Sequence, residues 1–472
     1  MPKSIVTHLR DFPDRLPPML VKELRQGLRA KAFVVVFLVL QGLLGIVLLT
    51  AVAAESSSRA GTSVSSIIFF FISLALIIFQ PLRGVSALAS EMKANTMEIM
   101  ALTRLSAWRI TFGKWSAIVS QSALLVAAII PYLILRYFLG GMQLFAELLM
   151  LLMIFILSAT LTAVTVGMSG NRALALRVLF PLALVPLGIS AMATVFFEFR
   201  GMTFMIEFFS LTSPENREIA SVIVFFAVYI GWIALDFGAS LIAPISENRA
   251  TVRRIVGLGL ALVVILLLRP LDHEVQLFVS ALFLVPLVLV SLAEPINVTA
   301  PMLRSFTQRG TPWRLASLFL CPGWAAGALY SLLLVVMFGA AISLKGMAED
   351  EWIDFSIHAY GAIGALIFPA VVLLFFKVAN RFASYLIILA SSVVLMGFLS
   401  LVADMMNKDG LLYFFVWLPP VAWALAEETG DYASIAFLCA LLGGFFTLVL
   451  LIGAVLATKR LHHSFASPAA ES

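Results

Sequence analysis

The chain is short of charge, cysteine and histidine, and each shortage excludes something. Of its 472 residues only 12% are Asp, Glu, Lys or Arg, while 62% are hydrophobic. Soluble domains carry roughly 25% charged residues. With a mean hydropathy of +1.05, an ordinary soluble domain is ruled out. The two cysteines, Cys321 and Cys439, lie in or beside apolar segments, which leaves neither a disulfide framework nor a cysteine metal site. The five histidines, His8, His273, His358, His462 and His463, are scattered or terminal. No His-x3-His, Cys-x2-Cys or Ser/His/Asp arrangement occurs, so no catalytic residue and no metal-ligand set is assigned. A Gly-x4-Gly-Lys-Ser/Thr phosphate loop is also missing, which closes that route to ATP hydrolysis. The alternating pattern of barrel strands is absent as well. Lipid requires each spanning segment to satisfy its own backbone, so the apolar runs read as helices.

Those runs are numerous, and several approach or exceed the ~18–20 apolar residues that cross hydrocarbon. The expected fold is all-α: a polytopic membrane protein of about 12 transmembrane helices in two six-helix halves, preceded by an amphipathic helix. Spans are expected near 33–54, 65–81, 115–138, 142–167, 175–197 and 219–243. A second set follows near 255–269, 275–292, 320–343, 357–376, 382–402 and 433–457. The domain plan is a cytoplasmic segment over 1–32, a first membrane half over 33–250 and a second, diverged half over 251–472. The stretch 411–424 contains Pro419-Pro420 and reads as re-entrant or interfacial, because the pair breaks a helix.

The net charge of +5 does not indicate nucleic acid, because the basic residues sit beside spans, where they set orientation. Twelve spans with the N-terminus inside leave only Arg59, Arg136, Arg200, Arg217, Arg269, Lys345 and Lys408 on the outer side, out of 31 Lys and Arg. That bias predicts a cell (inner) membrane protein with both termini cytoplasmic. Arg136 and Lys377 read as interfacial anchors. Asp236, inside the sixth expected span, is a candidate pathway residue, with snorkelling to the inner face as the alternative.

Two segments stand out. In 17–31, proline at the start, Leu20, Leu24 and Leu28 at four-residue spacing, and Lys22, Glu23, Arg25 and Arg29 between them read as an amphipathic helix in the membrane interface. The largest polar island, 91–114, lies between the second and third spans. Asn95 and Glu98 form a capping-box pair. Thr96, Met97, Met100 and Leu102 then continue a short helix with an apolar side. Thr103 and Leu105 lead to Ser106, placed to cap the helix that carries Arg109, Gly113 and Lys114 into the third span. Two readings stand: a docking surface for a partner protein, or an interfacial helix dipping into the headgroups. The halves repeat this plan. Glu91 precedes Ala107-Trp108-Arg109 as Glu294 precedes Pro312-Trp313-Arg314, but the loop after Glu294 lacks the apolar helix.

The run Glu91-x4-Thr96-x-Glu98-x3-Leu102-Thr103-x-Leu105-Ser106-x2-Arg109-x3-Gly113-Lys114 resembles the signature of ABC-2 type transporter permeases. Asn95 and Arg104 stand where that pattern usually has glycine and proline. The resemblance covers roughly residues 15–245 and is weaker beyond. It implies that the island holds a coupling helix seated in a groove of an ABC ATP-binding subunit, and that Lys22-Glu23-Leu24-Arg25 belongs to an elbow helix. It implies an exporter permease without catalytic activity or cofactor of its own, with ATP and magnesium on the partner subunit. The lipid bilayer, and a homodimer or a second permease chain, complete the expected partners. The competing expectation is an ion- or proton-coupled secondary transporter.

Overall fold

The computed structural model describes residues 18–53, 60–93, 106–137, 143–171, 173, 177–178, 180–197, 201–244, 247–269, 271–296, 298–299, 302, 306, 308, 310–344, 349–406, 410–422, 425–426 and 432–466. These residues form helices and turns, with no strand among them. Eleven helices are long and apolar enough to cross a membrane, or up to twelve if one bent pair counts as a single span. The chain divides into two compact units, Met1–Ala243 and Pro244–Ser472. The boundary has a local cause. Pro244 has no N–H and forces Ala243 into an extended conformation, φ −66° and ψ 138°, which ends the preceding helix.

In unit 1, α1 (Pro18–Leu28) leads into α2 (Lys31–Ala53). The second span is interrupted: α3 (Ala60–Ser73), a π-helical segment (Leu74–Phe79), α4 (Gln80–Gly84) and α5 (Ala87–Lys93) follow one another. Then come α6 (Ala107–Tyr137), α7 (Leu144–Ser169), α8 (Phe180–Phe197), α9 (Gly201–Phe209) and α10 (Pro214–Ile242). Leu40, Leu44, Ile68, Phe69, Ile72, Leu125, Ile129 and Leu133 are buried in one core. The opposite side of α2 exposes Val35, Leu38, Val39 and Leu49, as expected where lipid replaces protein as the apolar neighbour.

The π segment runs into a proline that leaves one of its carbonyls without a backbone donor. A carbonyl there expects the N–H five residues on, but Leu76 would need Pro81, which has none. The Ser158 hydroxyl of α7 donates to Leu76 O at 2.5 Å instead. This neighbour-helix repair lets proline sit inside a span. The second contact of this kind is a close approach. A Cβ on Gly167 would meet Ala234 O at 2.1 Å, and one on Gly238 would meet Gly167 Cα at 2.6 Å. Only glycine lets α7 and α10 come this close.

Before α10 lies the short apolar helix α9. It folds back from the second part of α8 at 86°. Gly201 allows this turn, because a Cβ there would lie 1.9 Å from Val195 O. Met202 and Ile206 of α9 enter the core of unit 1, which explains a segment too apolar for a free loop and too short to span.

Unit 2 contains α11 (Arg249–Leu268), α12 (His273–Ala293), α13 (Thr311–Leu320), α14 (Trp324–Ser343) and α15 (Glu349–Ala359). A π segment (Tyr360–Gly364), α16 (Ala365–Phe375), α17 (Arg381–Met406), α18 (Gly410–Phe414) and α19 (Tyr432–Ala466) complete it. The Pro419-Pro420 stretch does not span: after α18 it continues in turns, with Leu412, Val416, Leu418 and Val421 buried. Tyr360 of the π segment donates to Val416 O at 3.3 Å.

Candidate functional site

The polar residues of α1 and of the island's two ends meet in one cluster. Lys114 is buried near the start of α6, with its side chain 5% exposed. Its ammonium reaches Glu23 Oε1 of α1 at 3.0 Å and Glu91 Oε1 of α5 at 3.0 Å. Lys22 stands 3.9 Å from Glu91 and stays exposed. A buried ammonium needs paired, hydrogen-bonded partners. Two carboxylates that keep partial access to water supply them, so three elements distant in sequence are held at one point.

A second tie lies close to the first along α1. Arg83 donates to Gln121 Oε1, to Gln80 Oε1 at 3.1 Å and to Gly27 O at 3.4 Å, and it lies 5.5 Å over the Phe33 ring. Gly27 permits this: a Cβ there would run into the Gln121 amide. Leu24 turns the apolar side of α1 inward and is buried. Arg83 and Gln121 carried no signal in sequence, since either is read as an ordinary polar residue near a span end.

The island's centre, with Asn95, Thr96, Met97, Glu98, Met100, Leu102, Thr103 and Leu105, lies outside the described residues. Its frame is described. Ser106 Oγ accepts from Arg109 N at 3.4 Å, the cap expected of it. Gly113 is buried and Arg109 points to solvent. Glu91, Lys114, Glu23 and Lys22 are therefore brought together, and Arg109 is not among them.

Unit 2 has a corresponding cluster around Glu294, just after α12. Arg253 Nη2 reaches Glu294 Oε1 at 3.0 Å, and Arg254 Nη2 reaches Oε2 at 2.6 Å. Both arginine side chains are buried in α11. Between α13 and α14 the chain breaks at Cys321-Pro322-Gly323, with Gly323 at φ +108°. Arg254 gathers carbonyls around this break, donating to Phe319 O at 3.1 Å, to Cys321 O and to Gly323 O at 3.0 Å. Gly323 N donates to Glu294 Oε2 at 3.1 Å. Burial pushes the Cys321 thiol above its ordinary value.

Three further ionisable residues are placed. Asp236 is buried in α10. Ala234 and Gly238, one turn apart, face Gly167, so Asp236 lies on the other side of the helix. Arg136 is not the interfacial anchor its position suggested. Its side chain is 1% exposed and its Nη1 lies 2.8 Å from Glu147 Oε1, which also accepts from Ser65 at 3.2 Å. The pair closes the turn between α6 and α7, where burial demands a counter-charge. Lys377 is exposed, as an anchor would be.

An apolar cavity of about 370 Å³ lies in unit 1 beside the π segment, lined among others by Ile77, Pro81, Leu161, Thr165 and Val185. No group of three or more His, Cys, Asp or Glu among the described residues is arranged to hold a metal.

These features define a multi-pass α-helical membrane protein with a charged cluster at the end of the second span in each of its two units. No family model, curated protein or solved structure matches the chain.

Proposed function

We propose that the chain is the membrane-spanning permease subunit of an ATP-driven ABC-2 type exporter, working with a separate ATP-binding subunit that docks on the 91–114 loop. The observation that carries this reading is the Lys114 cluster. The loop resembling a coupling segment has its two ends joined to each other, Glu91 to Lys114, and Lys114 joined in turn to Glu23 of the amphipathic α1. A push on residues 94–105 then reaches α1, α5 and α6 as one body rather than dissipating in a flexible connector. ATP and magnesium bind the partner, whose closure on ATP supplies the push, and the spans respond by opening a path. The protein sits in the cell membrane with both termini cytoplasmic, as the charge bias favours. The loop after Glu294, lacking the apolar helix, gives a second and looser contact.

The test is association. Replacing Met97 and Met100 with Asp abolishes co-purification with the co-expressed ATP-binding subunit while membrane insertion is retained. Undiminished co-purification refutes the docking role. The buried Asp236 favours one competing reading, an ion- or proton-coupled carrier. Transport by the purified chain in proteoliposomes free of any ATPase would replace the exporter reading with that one.

A further inference from the structure

The break in the second span of unit 1 leaves more than a bend. Beside it lies the cavity of about 370 Å³, walled by Ile77 and Pro81 of that span, by Leu161 and Thr165 of α7, and by Val185 and Gly188 of α8, among others. It is more than twice the roughly 150 Å³ that encloses a benzene ring, and falls in the range of about 300–1,000 Å³ that holds small ligands. It is open on one side, and Leu161, Met168 and Val185 on its walls are only partly buried.

The chemistry of the walls selects the occupant. Among the described residues that line the cavity none is charged, and Thr165 alone has a polar side chain. Its hydroxyl is already spent, donating to Thr162 O at 3.1 Å. A ligand carrying polar groups would lose their hydration and find no partner, so only hydrocarbon is at home there. Depth points the same way. Leu161, Thr165 and Met168 share one stripe of α7, which ends at Ser169. At 1.5 Å per residue the cavity lies within ~12 Å of that end, in one half of a hydrocarbon core ~30 Å thick. Water is absent at that depth, and lipid chains are the surrounding medium.

The room is also local. A Cβ on Gly188 would meet Ile78 alone, at 3.7 Å, an ordinary contact. Unlike Gly167 or Gly201, this glycine is not forced by a close approach. Its missing side chain is space on the cavity wall.

We propose that the cavity binds one acyl chain of a membrane phospholipid, lodged against the proline break between the second span, α7 and α8. The inference does not rest on the exporter reading, since it concerns the lipid neighbour of unit 1 alone.

The test uses the full chain in phosphatidylcholine vesicles that contain a phosphatidylcholine with a photoactivatable diazirine in one acyl chain. After irradiation, attachment sites are mapped by mass spectrometry. Attachment is expected to concentrate on residues 77–82 and 161–168, above the level on the lipid-facing stretch 35–49 of α2. Gly188→Leu fills the cavity from the α8 wall and favours the helix. It is expected to reduce labelling of 77–82 and 161–168 about tenfold, the equivalent of roughly two buried methylenes, and to leave α2 unchanged. Labelling spread evenly over α2 and the cavity walls would overturn the proposal, as would labelling that Gly188→Leu leaves intact or lowers equally on α2. A parallel arm carries the diazirine on free palmitic acid. Capture of the free acid without capture of the phospholipid would overturn the assignment to a phospholipid chain. If Gly188→Leu does not fold, Val185→Phe fills the cavity from the same wall, with selective loss of cavity labelling supporting the proposal and unchanged labelling sinking it.

Discussion

Unit 1 ends its second span with one ammonium between two carboxylates, and unit 2 ends its own with one carboxylate between two guanidiniums. The inversion follows from the helix that comes next. In unit 1, α6 runs on from Ala107 to Tyr137 with no break near Lys114, so Lys114 meets carboxylates rather than freed carbonyls. In unit 2 the corresponding helix is broken at Cys321-Pro322-Gly323, and Arg254 meets three carbonyls around the break. Lysine offers a compact charge, whereas arginine offers five donors in a fork that can hold a carboxylate and several carbonyls at once. At the position where Lys114 donates to Glu91, the Gly323 amide donates to Glu294. A side chain in one unit is replaced by backbone in the other.

The two clusters are expected to fail differently. Glu294→Ala should have the largest effect, about 3–5 kcal/mol, because it strands two arginines that cannot reach water. Thermal unfolding in detergent should show it as a large drop in melting temperature or as loss of monodisperse protein. Lys114→Met should cost less, about 1.5–3 kcal/mol, because Glu23 and Glu91 are 17% and 13% exposed and can turn to solvent. Adding Glu91→Gln should recover part of that loss, since it removes one of two facing carboxylates. If Lys114→Met proves as damaging as Glu294→Ala, the distinction between the clusters collapses.

Gly327→Ala comes next, at about 1–3 kcal/mol. Its Cβ would stand 2.0 Å from Ser291 O, a backbone atom that cannot move aside without shifting α12. Gly27→Ala should be mildest, within about 1 kcal/mol, because the atom it meets is the far end of the Gln121 side chain. Equal melting temperatures for these two variants would show that unit 2 is no more tightly packed at this point than unit 1.

Some of this was readable from residues alone. Eleven of the twelve expected spans, the amphipathic α1, the Ser106 cap and the failure of the Pro419-Pro420 stretch to cross follow from local rules of length, spacing and missing donors; the expected span near 175–197 is instead part of the bent pair with α9. The residues Glu91, Lys114 and Glu23 were also singled out, because charge beside a span is conspicuous. Their partnership was not legible, since it joins elements separated by long apolar runs that carry no register. Arg136 shows the converse error. Near a span end it resembles an anchor, and only the return of α7 with Glu147 turns it inward. Arg253 and Arg254 resemble orientation signals for the same reason, and the carbonyls that Arg254 serves exist only once α13 and α14 part.

What the residues determined by themselves is the class: hydrophobicity and backbone satisfaction act locally, so a chain this apolar becomes a set of membrane helices. What only the tertiary structure decided is which charges meet. A buried charge is tolerable only beside a partner, and a partner many residues away is selected by packing, through contacts such as Gly167 against Ala234 and Gly27 against Gln121. The same rule leaves Arg381 Nη2 enclosed and without an acceptor among the described residues.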